Sequence, residues 1–427
     1  MHVMKIRASR LAGDAPGNRQ LRLILVTLIL LIAACGGSSS DTPGPGTSLV
    51  PRDFDGPINA VAAVESTGGD VFVAGNFTTY NGQVANSVVR LNPDGTLDGT
   101  FDAQDGFNGT IVSIAPANDG TGDLYVGGLF TSYNGTSAAR IARLNSDGSI
   151  DLDFASGLGF SRTAGGAEVK TLLIAADASG DLYVGGDFDT YDGASIPPLV
   201  RLNSDGSLDA GLALGSGFTD STRPVIHSLC AATDTSGDLY VAGDFETFGA
   251  ATVNNLLRLN SNGTRDTGFS VGLGLNAPPR VVLAAQDSSG DVYVAGGFTA
   301  YKATAANGIL RISADGTRDA TFNEGVGFDS DVNALHLPAD GTGDVFAGGD
   351  FLTYQSISSP RIVRINANGT RDSDFAQGAG FDAAVLVIAA PPDAPTSGAI
   401  YAGGAFSLYD SRGVTNFMRA NEFGTPN

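Results

Sequence analysis

From residue 49 onward, apolar positions come in short runs that alternate with small or polar residues, and each run is bounded by Gly, Asp, Asn or Ser. One unit shows the pattern: IVSIA at 111–115, GDLYVGG at 122–128, IARLN at 141–145 and SIDLDF at 149–154. A period of two over a few residues predicts strands, and no long stretch places apolar residues at helical spacing. Strings such as Asn145-Ser146-Asp147-Gly148 supply the residues that tolerate positive φ in tight turns. The pattern predicts an all-β chain of short antiparallel strands.

The same unit recurs. An aromatic–small–Gly–x–Phe string ends at Phe77, Phe130, Phe188, Phe245, Phe298, Phe351 and Phe406, spaced by 53, 58, 57, 53, 53 and 55 residues. A second aromatic follows three positions later (Tyr80 and Tyr133 in the first two units). An arginine recurs at Arg90, Arg143, Arg201, Arg258, Arg311, Arg364 and Arg419. Four strands per unit, seven times over and without an intervening helix, predict a seven-bladed β-propeller of four-stranded antiparallel blades over residues 49–427. An open β-solenoid is the alternative. The last unit stops near its third strand, and LVPRDF at 49–54 aligns with the fourth-strand string TLDGTF at 96–101. The N-terminal segment is therefore expected to complete the seventh blade and close the ring.

The units resemble the delta-60 repeat β-propellers, which combine a GG-x-F-T string with an R-L-N-x-D-G-x-L-D string, here RLNPDGTLD at 90–98. The resemblance spans about residues 51–427. The chain departs from it in using Gly-Asp before the middle strand where members often have a Lys-containing turn. That family has no settled activity, so the resemblance implies a fold and leaves function to be argued from residues.

The N-terminus reads differently. Lys5, Arg7, Arg10, Arg19 and Arg22 precede the 12-residue apolar run at 23–34, a signal-peptide pattern too short for the roughly 20 residues of a spanning helix. The run ends in Ile32-Ala33-Ala34-Cys35, which resembles the bacterial lipobox. That resemblance implies removal of residues 1–34 and lipidation of Cys35. Gly36, rather than Asp, after the cysteine implies the outer membrane. Residues 35–48, rich in Gly, Ser and Pro, are expected to form a flexible linker. An ordinary secretory peptide and a retained membrane anchor are the alternatives.

Of 24 basic and 45 acidic residues, five and one lie within 1–34, which leaves 19 and 44 and a mature net charge of −25. Such a balance argues against nucleic acid as a partner. Cys230 would be the only free thiol, so no intrachain disulfide is expected.

Residues common to all units are read as scaffold: the arginines pair with repeated aspartates and the aromatics fill the core. Function should appear where the repetition breaks. Aligning the innermost strands puts Asn59, Val112, Lys170, His227, Arg280, Asn333 and Leu386 at one position, basic in three successive units. Longer loops add Arg162 and Arg223. These five, Arg162, Lys170, Arg223, His227 and Arg280, form a candidate anion site at the channel mouth. The alternative is pairing with local acids, Glu168 and Asp220 being close in sequence. Asn145, Asp147 and Asp151 are weak calcium candidates, since a turn explains the same string. No catalytic motif appears. Cys230, three positions past His227, is placed on the opposite strand face. The expected function is a non-enzymatic, monomeric binding or scaffold module on the cell envelope for a protein or an anionic glycan, without a cofactor. The alternative is an envelope enzyme acting on an acidic polysaccharide.

Overall fold

The computed structural model describes residues 53–64 and 68–426. The signal segment 1–34, Cys35, the linker and most of the 49–54 string lie outside them. Among the described residues every regular element is a strand, and no helix is long and apolar enough to cross a membrane.

Each repeat builds a three-stranded antiparallel sheet of inner, middle and outer strand, seven in all among the described residues, and in repeats 3 and 4 the small hairpin gains a third strand as well, Phe160–Ser161 and Phe218–Thr219. In repeat 2 the inner strand Ile111–Pro116 pairs with the middle strand Leu124–Gly128, which pairs with the outer strand Ile141–Leu144. The middle strand is buried along its whole length, as an LYVGG sequence requires. A two-residue hairpin, Ser132–Tyr133 with Thr136–Ser137, lies between the middle and outer strands.

The expected fourth strand is shorter than the sequence suggested. It is reduced to one bridging residue, Ile150 opposite Leu144 in repeat 2 and its equivalents elsewhere. The next residue explains why the ladder stops. Asp151 donates its N–H to the Arg143 carbonyl at 2.8 Å and turns its carboxylate toward the Arg143 guanidinium at 3.4 Å, so the chain curls around the arginine.

That arginine organises the outer part of every sheet. Arg258 is buried, stacks over the Tyr240 ring with its guanidinium carbon 5.4 Å from the centroid, and pairs with Asp234, Asp238 and Asp266. Arg143, Arg201, Arg311 and Arg364 make the same three-aspartate arrangement. The predicted Arg–Asp pairing is present. A buried guanidinium keeps its charge only when its donors are met, and three carboxylates do that here.

Aromatics fill the opposite end. Phe107 packs between Phe130 and Tyr133, with centroids 4.3 and 4.5 Å away. The recurring tyrosine is buried with its hydroxyl satisfied: Tyr354 donates to the Gly369 carbonyl at 2.6 Å and Tyr409 to that of Gly424 at 2.7 Å. This bond explains why most repeats carry tyrosine rather than phenylalanine there.

Neighbouring repeats meet closely through glycine. A Cβ on Gly127 would lie 2.5 Å from Val169 of the next repeat, and one on Gly403 would lie 2.7 Å from Ile58, joining repeat 7 to repeat 1 in the same way. The inner strands pack each on the next, and Val385–Ala389 packs on Ile58–Ala63.

Phe54, at the described end of the N-terminal segment, meets repeat 7 but not at the fourth-strand position. Phe54 bridges Tyr80 and packs on Phe77, which is the place Phe107 takes against Tyr133 and Phe130. Repeat 7 supplies its own bridging residue, Pro426 opposite Ala420. The alignment of 49–54 with 96–101 was thus six residues out of phase. Four junctions between repeats have two phenylalanines six apart (Phe101 and Phe107, Phe154 and Phe160, Phe322 and Phe328, Phe375 and Phe381), and a short terminal string matches either. The contact to repeat 7 comes from Asn416, whose amide donates to the Phe54 carbonyl at 2.8 Å, as Asn255 does to Leu275 at 3.0 Å between repeats 4 and 5.

Candidate functional site at the central cavity

The seven positions aligned from sequence share a local cause. In each inner strand the pairing register slips by one residue, between Ile58 and Ala60, Ile111 and Ser113, Val169 and Thr171, Ile226 and Ser228, Pro279 and Val281, Val332 and Ala334, and Val385 and Val387. The skipped residue is always the aligned one. A bulge leaves one residue outside the ladder and re-aims its side chain. Here all seven bulge residues, Asn59, Val112, Lys170, His227, Arg280, Asn333 and Leu386, line a single cavity of about 390 Å³.

The basic residues in and around this cavity do not stand free. Lys170 Nζ pairs with Glu168 at 2.6 Å, as the local-acid alternative anticipates. Arg280 Nη2 reaches Asp331 of the next repeat at 2.6 Å. Arg162 and Arg223 both turn to one carboxylate, Asp187, at 2.9 Å for Arg162 and in direct contact for Arg223. Asp220 does not take the Arg223 side chain. Its carboxylate caps its own turn, accepting from Thr222 and from the Arg223 backbone N–H. Asp187 and Asp331 were missed in the sequence. For Asp187 the signal was available, because antiparallel register sets it opposite Glu168.

His227 contributes no charge at neutral pH. Burial, with Lys170 and Arg280 nearby, pushes its pKa down to about 4. The site therefore presents four cations against Glu168, Asp187 and Asp331. Arg280 is the most open of them, with its side chain 54% exposed, and its partner Asp331 is 36% exposed. An ion pair that open to water contributes only about 0–1 kcal/mol. The asparagines at this level serve cohesion: Asn59 donates to the Ile111 carbonyl at 2.8 Å and Asn333 to Asp350 at 3.0 Å.

Cys230 lies apart from His227. The bulge at His227 interrupts simple alternation, and the thiol sulfur accepts the Ala284 N–H of the next inner strand at 3.1 Å. Burial raises its pKa. In the Asn145 loop, Asp147 accepts from the Ser149 N–H and hydroxyl, Asn145 donates to Ser149, and Asp151 faces Arg143. These oxygens are engaged in the turn, and among the described residues no group of three or more metal-ligating side chains is assembled.

Repeated three-stranded sheets set around a central cavity define a β-propeller repeat protein. Six segments, 69–101, 120–154, 178–212, 236–269, 288–322 and 341–375, match the model of a beta-propeller family described as a domain of unknown function, DUF5122. No curated protein sequence matches the chain. Among solved structures, the chain is similar to the GH74 xyloglucanase from Xanthomonas campestris at 13% identity and a TM-score of 0.55, over 88% of this chain and 53% of that one. It thus spans about half of that enzyme. The WD40 beta propeller domain of Doa1 aligns at 12% identity and TM-score 0.42, over 86% and 94% of the two chains. A chain of the Mitotic Checkpoint Complex aligns at 14% and 0.47, over 89% and 99%. At such identities the likeness concerns the fold alone.

Proposed function

We propose that the chain is a non-enzymatic binding module: a closed seven-bladed ring, held on the bacterial envelope by lipid on Cys35, that docks a carboxylate-bearing ligand at the mouth of its central cavity. Support for the ring comes from the cavity itself, to which each of the seven repeats gives one bulge residue. The matching Gly403–Ile58 and Gly127–Val169 contacts point the same way. Support for the anchor is the lipobox-like string at 32–35, and a delta-60 assignment rests on the repeat strings. Calcium has no place in this reading.

The observation that carries the function is the side-chain chemistry of the bulge ring. The residues that hold the fold repeat, whereas the bulge residues differ from repeat to repeat and gather Lys170, His227 and Arg280 on three successive ones. Arg280 is the entry point: its exposed pair with Asp331 costs little to exchange for a ligand carboxylate, and Lys170 lies on the same wall. Arg162 and Arg223 contribute by holding Asp187, which fixes the loops at the rim. The ligand class is an anionic glycan or an acidic segment of a protein.

The test is a thermal-shift screen of the full-length protein in detergent micelles against acidic and neutral oligosaccharides and acidic peptides. Acidic members are expected to raise Tm, and the Lys170→Glu/Arg280→Glu variant to abolish the shift. No shift with any anion contradicts the reading. The enzymatic alternative, with His227 as the base, is separated by product analysis, because an enzyme consumes the ligand and a binding module returns it intact.

A further inference from the structure

A second cavity, of about 620 Å³, opens between repeats 4 and 5. Its lining is acidic, and other repeats meet the same acid with a cation. In repeat 3 the last residue of the middle strand is Asp187, paired in register with Glu168. In repeat 4 the same place is taken by Asp244, opposite Val225. Repeat 6 has Asp350 just after its middle strand.

In two of these three repeats an arginine meets the aspartate. Asp187 is held by Arg162 and Arg223. Asp350 has Arg361, whose Nη1 lies 3.6 Å from the carboxylate and donates to the Asp350 carbonyl at 2.6 Å. Repeat 4 has lost the arginine at each corresponding position. Phe160 and Phe218 bridge their own hairpins identically, so Arg162 corresponds to Asp220. Arg361 and Asn255 both bond to the two residues flanking the strand end, so Arg361 corresponds to Asn255. Counting back three residues from the paired inner-strand positions Ile226 and Pro279, Arg223 corresponds to Asn276.

Asp220, Asn255 and Asn276 all line the cavity, together with Asp244 and Glu246, and no lysine or arginine does. The asparagines are already committed, Asn255 to the Leu275 carbonyl and Asn276 to the turn at Thr299. Among the described residues no ion pair or hydrogen bond reaches the Asp244 carboxylate, and its pKa is raised by burial and by Asp220 and Glu246. A carboxylate facing two others with no cation in reach is a destabilising arrangement unless a cation arrives from outside. Leu273, 64% exposed, and Pro278 line the same cavity and offer apolar surface to a side-chain stem.

We infer that this cavity is a socket for an arginine side chain of a partner peptide, whose guanidinium fills the place that Arg361 takes in repeat 6 and whose neighbouring apolar residue rests on Leu273. Guanidinium is specified because each neutralised counterpart uses arginine, whose planar fork meets a carboxylate with two donors. A cavity of this volume exceeds one guanidinium, which favours a peptide over a small amine.

The test is isothermal titration of the full-length protein in micelles with the capped pentapeptide Gly-Leu-Arg-Leu-Gly and its citrulline and lysine counterparts. Citrulline keeps the shape and removes the charge. The arginine peptide should bind most tightly, lysine more weakly, and citrulline at least about tenfold more weakly, the scale of one charge-assisted bidentate contact. Asp244→Asn should give a similar loss while leaving Tm equal to or above wild type, since a repulsion is removed. Asn255→Arg should block binding by rebuilding the internal partner. The backbone accommodates it, because Asn255 has φ 75° and Arg361 has φ 69°. Lys170→Glu/Arg280→Glu should leave the peptide affinity unchanged, which separates this site from the central cavity. Equal binding of arginine and citrulline peptides, or an unchanged affinity in a folded Asp244→Asn, overturns the inference.

Discussion

The outer arginine clusters and the inner bulge ring use the same kinds of residue for opposite ends. At the outer end Arg258 is buried under three aspartates and an aromatic ring; four other repeats share the arrangement, and Arg90 and Arg419 keep the ring and one aspartate each. At the inner end Arg280 is more than half exposed and meets one aspartate, and its counterparts are Asn, Val, Lys, His, Asn and Leu. A group that repeats is constrained by something every repeat needs, namely the closing of its own sheet. A group that varies at a fixed backbone feature is free of that need. Stability and recognition are thereby separated along the radius of each sheet, and the bulge is the device that separates them.

The contrast can be broken most severely at the outer end. Arg258→Ala leaves three carboxylates around a void and should cost about 3–5 kcal/mol of unfolding free energy, read by chemical denaturation, with ligand binding at the central cavity unchanged in the folded fraction. A loss of less than about 1 kcal/mol, the range of an exposed pair, would make the two ends alike.

Next in size is a pH effect. Burial pushes the pKa of both His227 and His336 down to about 4 from an ordinary 6.5. The unfolded chain therefore takes up these protons first. Their contribution to stability is fully present above about pH 6.5, falls as pH drops toward 4, and is lost below that. His336→Asn should remove part of this slope, on the order of 2 kcal/mol across the window, measured as unfolding free energy against pH. An unchanged slope would show that these imidazoles do not govern it.

Tyr354→Phe should cost about 1 kcal/mol through loss of the bond to Gly369. Phe248 already stands at this position in repeat 4, so the fold tolerates the change. Smallest of all, Arg280→Ala should shift stability by less than about 1 kcal/mol while weakening binding of an acidic ligand.

Much of this was legible in the sequence because a repeat reports its own constraints seven times. The Arg–Asp pairing, the aromatic core and the alignment of the seven cavity residues, Leu386 included, all followed from recurrence. What recurrence does not report is the partner of a residue that occurs once. Asp331 reaches Arg280 from a loop 51 residues away, and Asp187 serves two arginines from different repeats. The bulge was hidden as well. A strand with one extra residue reads as a slightly longer strand, so the register slip at each cavity residue does not show in the pattern of alternation. At the N-terminus a six-residue string had too little information to choose between two phenylalanines six apart.

The most direct test of the division between inner and outer ends is a calorimetric titration of an oligouronate, an acidic oligosaccharide with one carboxylate per sugar, into wild type, Lys170→Glu/Arg280→Glu and Arg258→Ala, with Tm measured on each. The account predicts binding lost without a fall in Tm for the first variant, and Tm lost with binding retained for the second. Oligouronate binding that survives reversal of both inner cations, or that disappears together with Tm in Arg258→Ala alone, would contradict it.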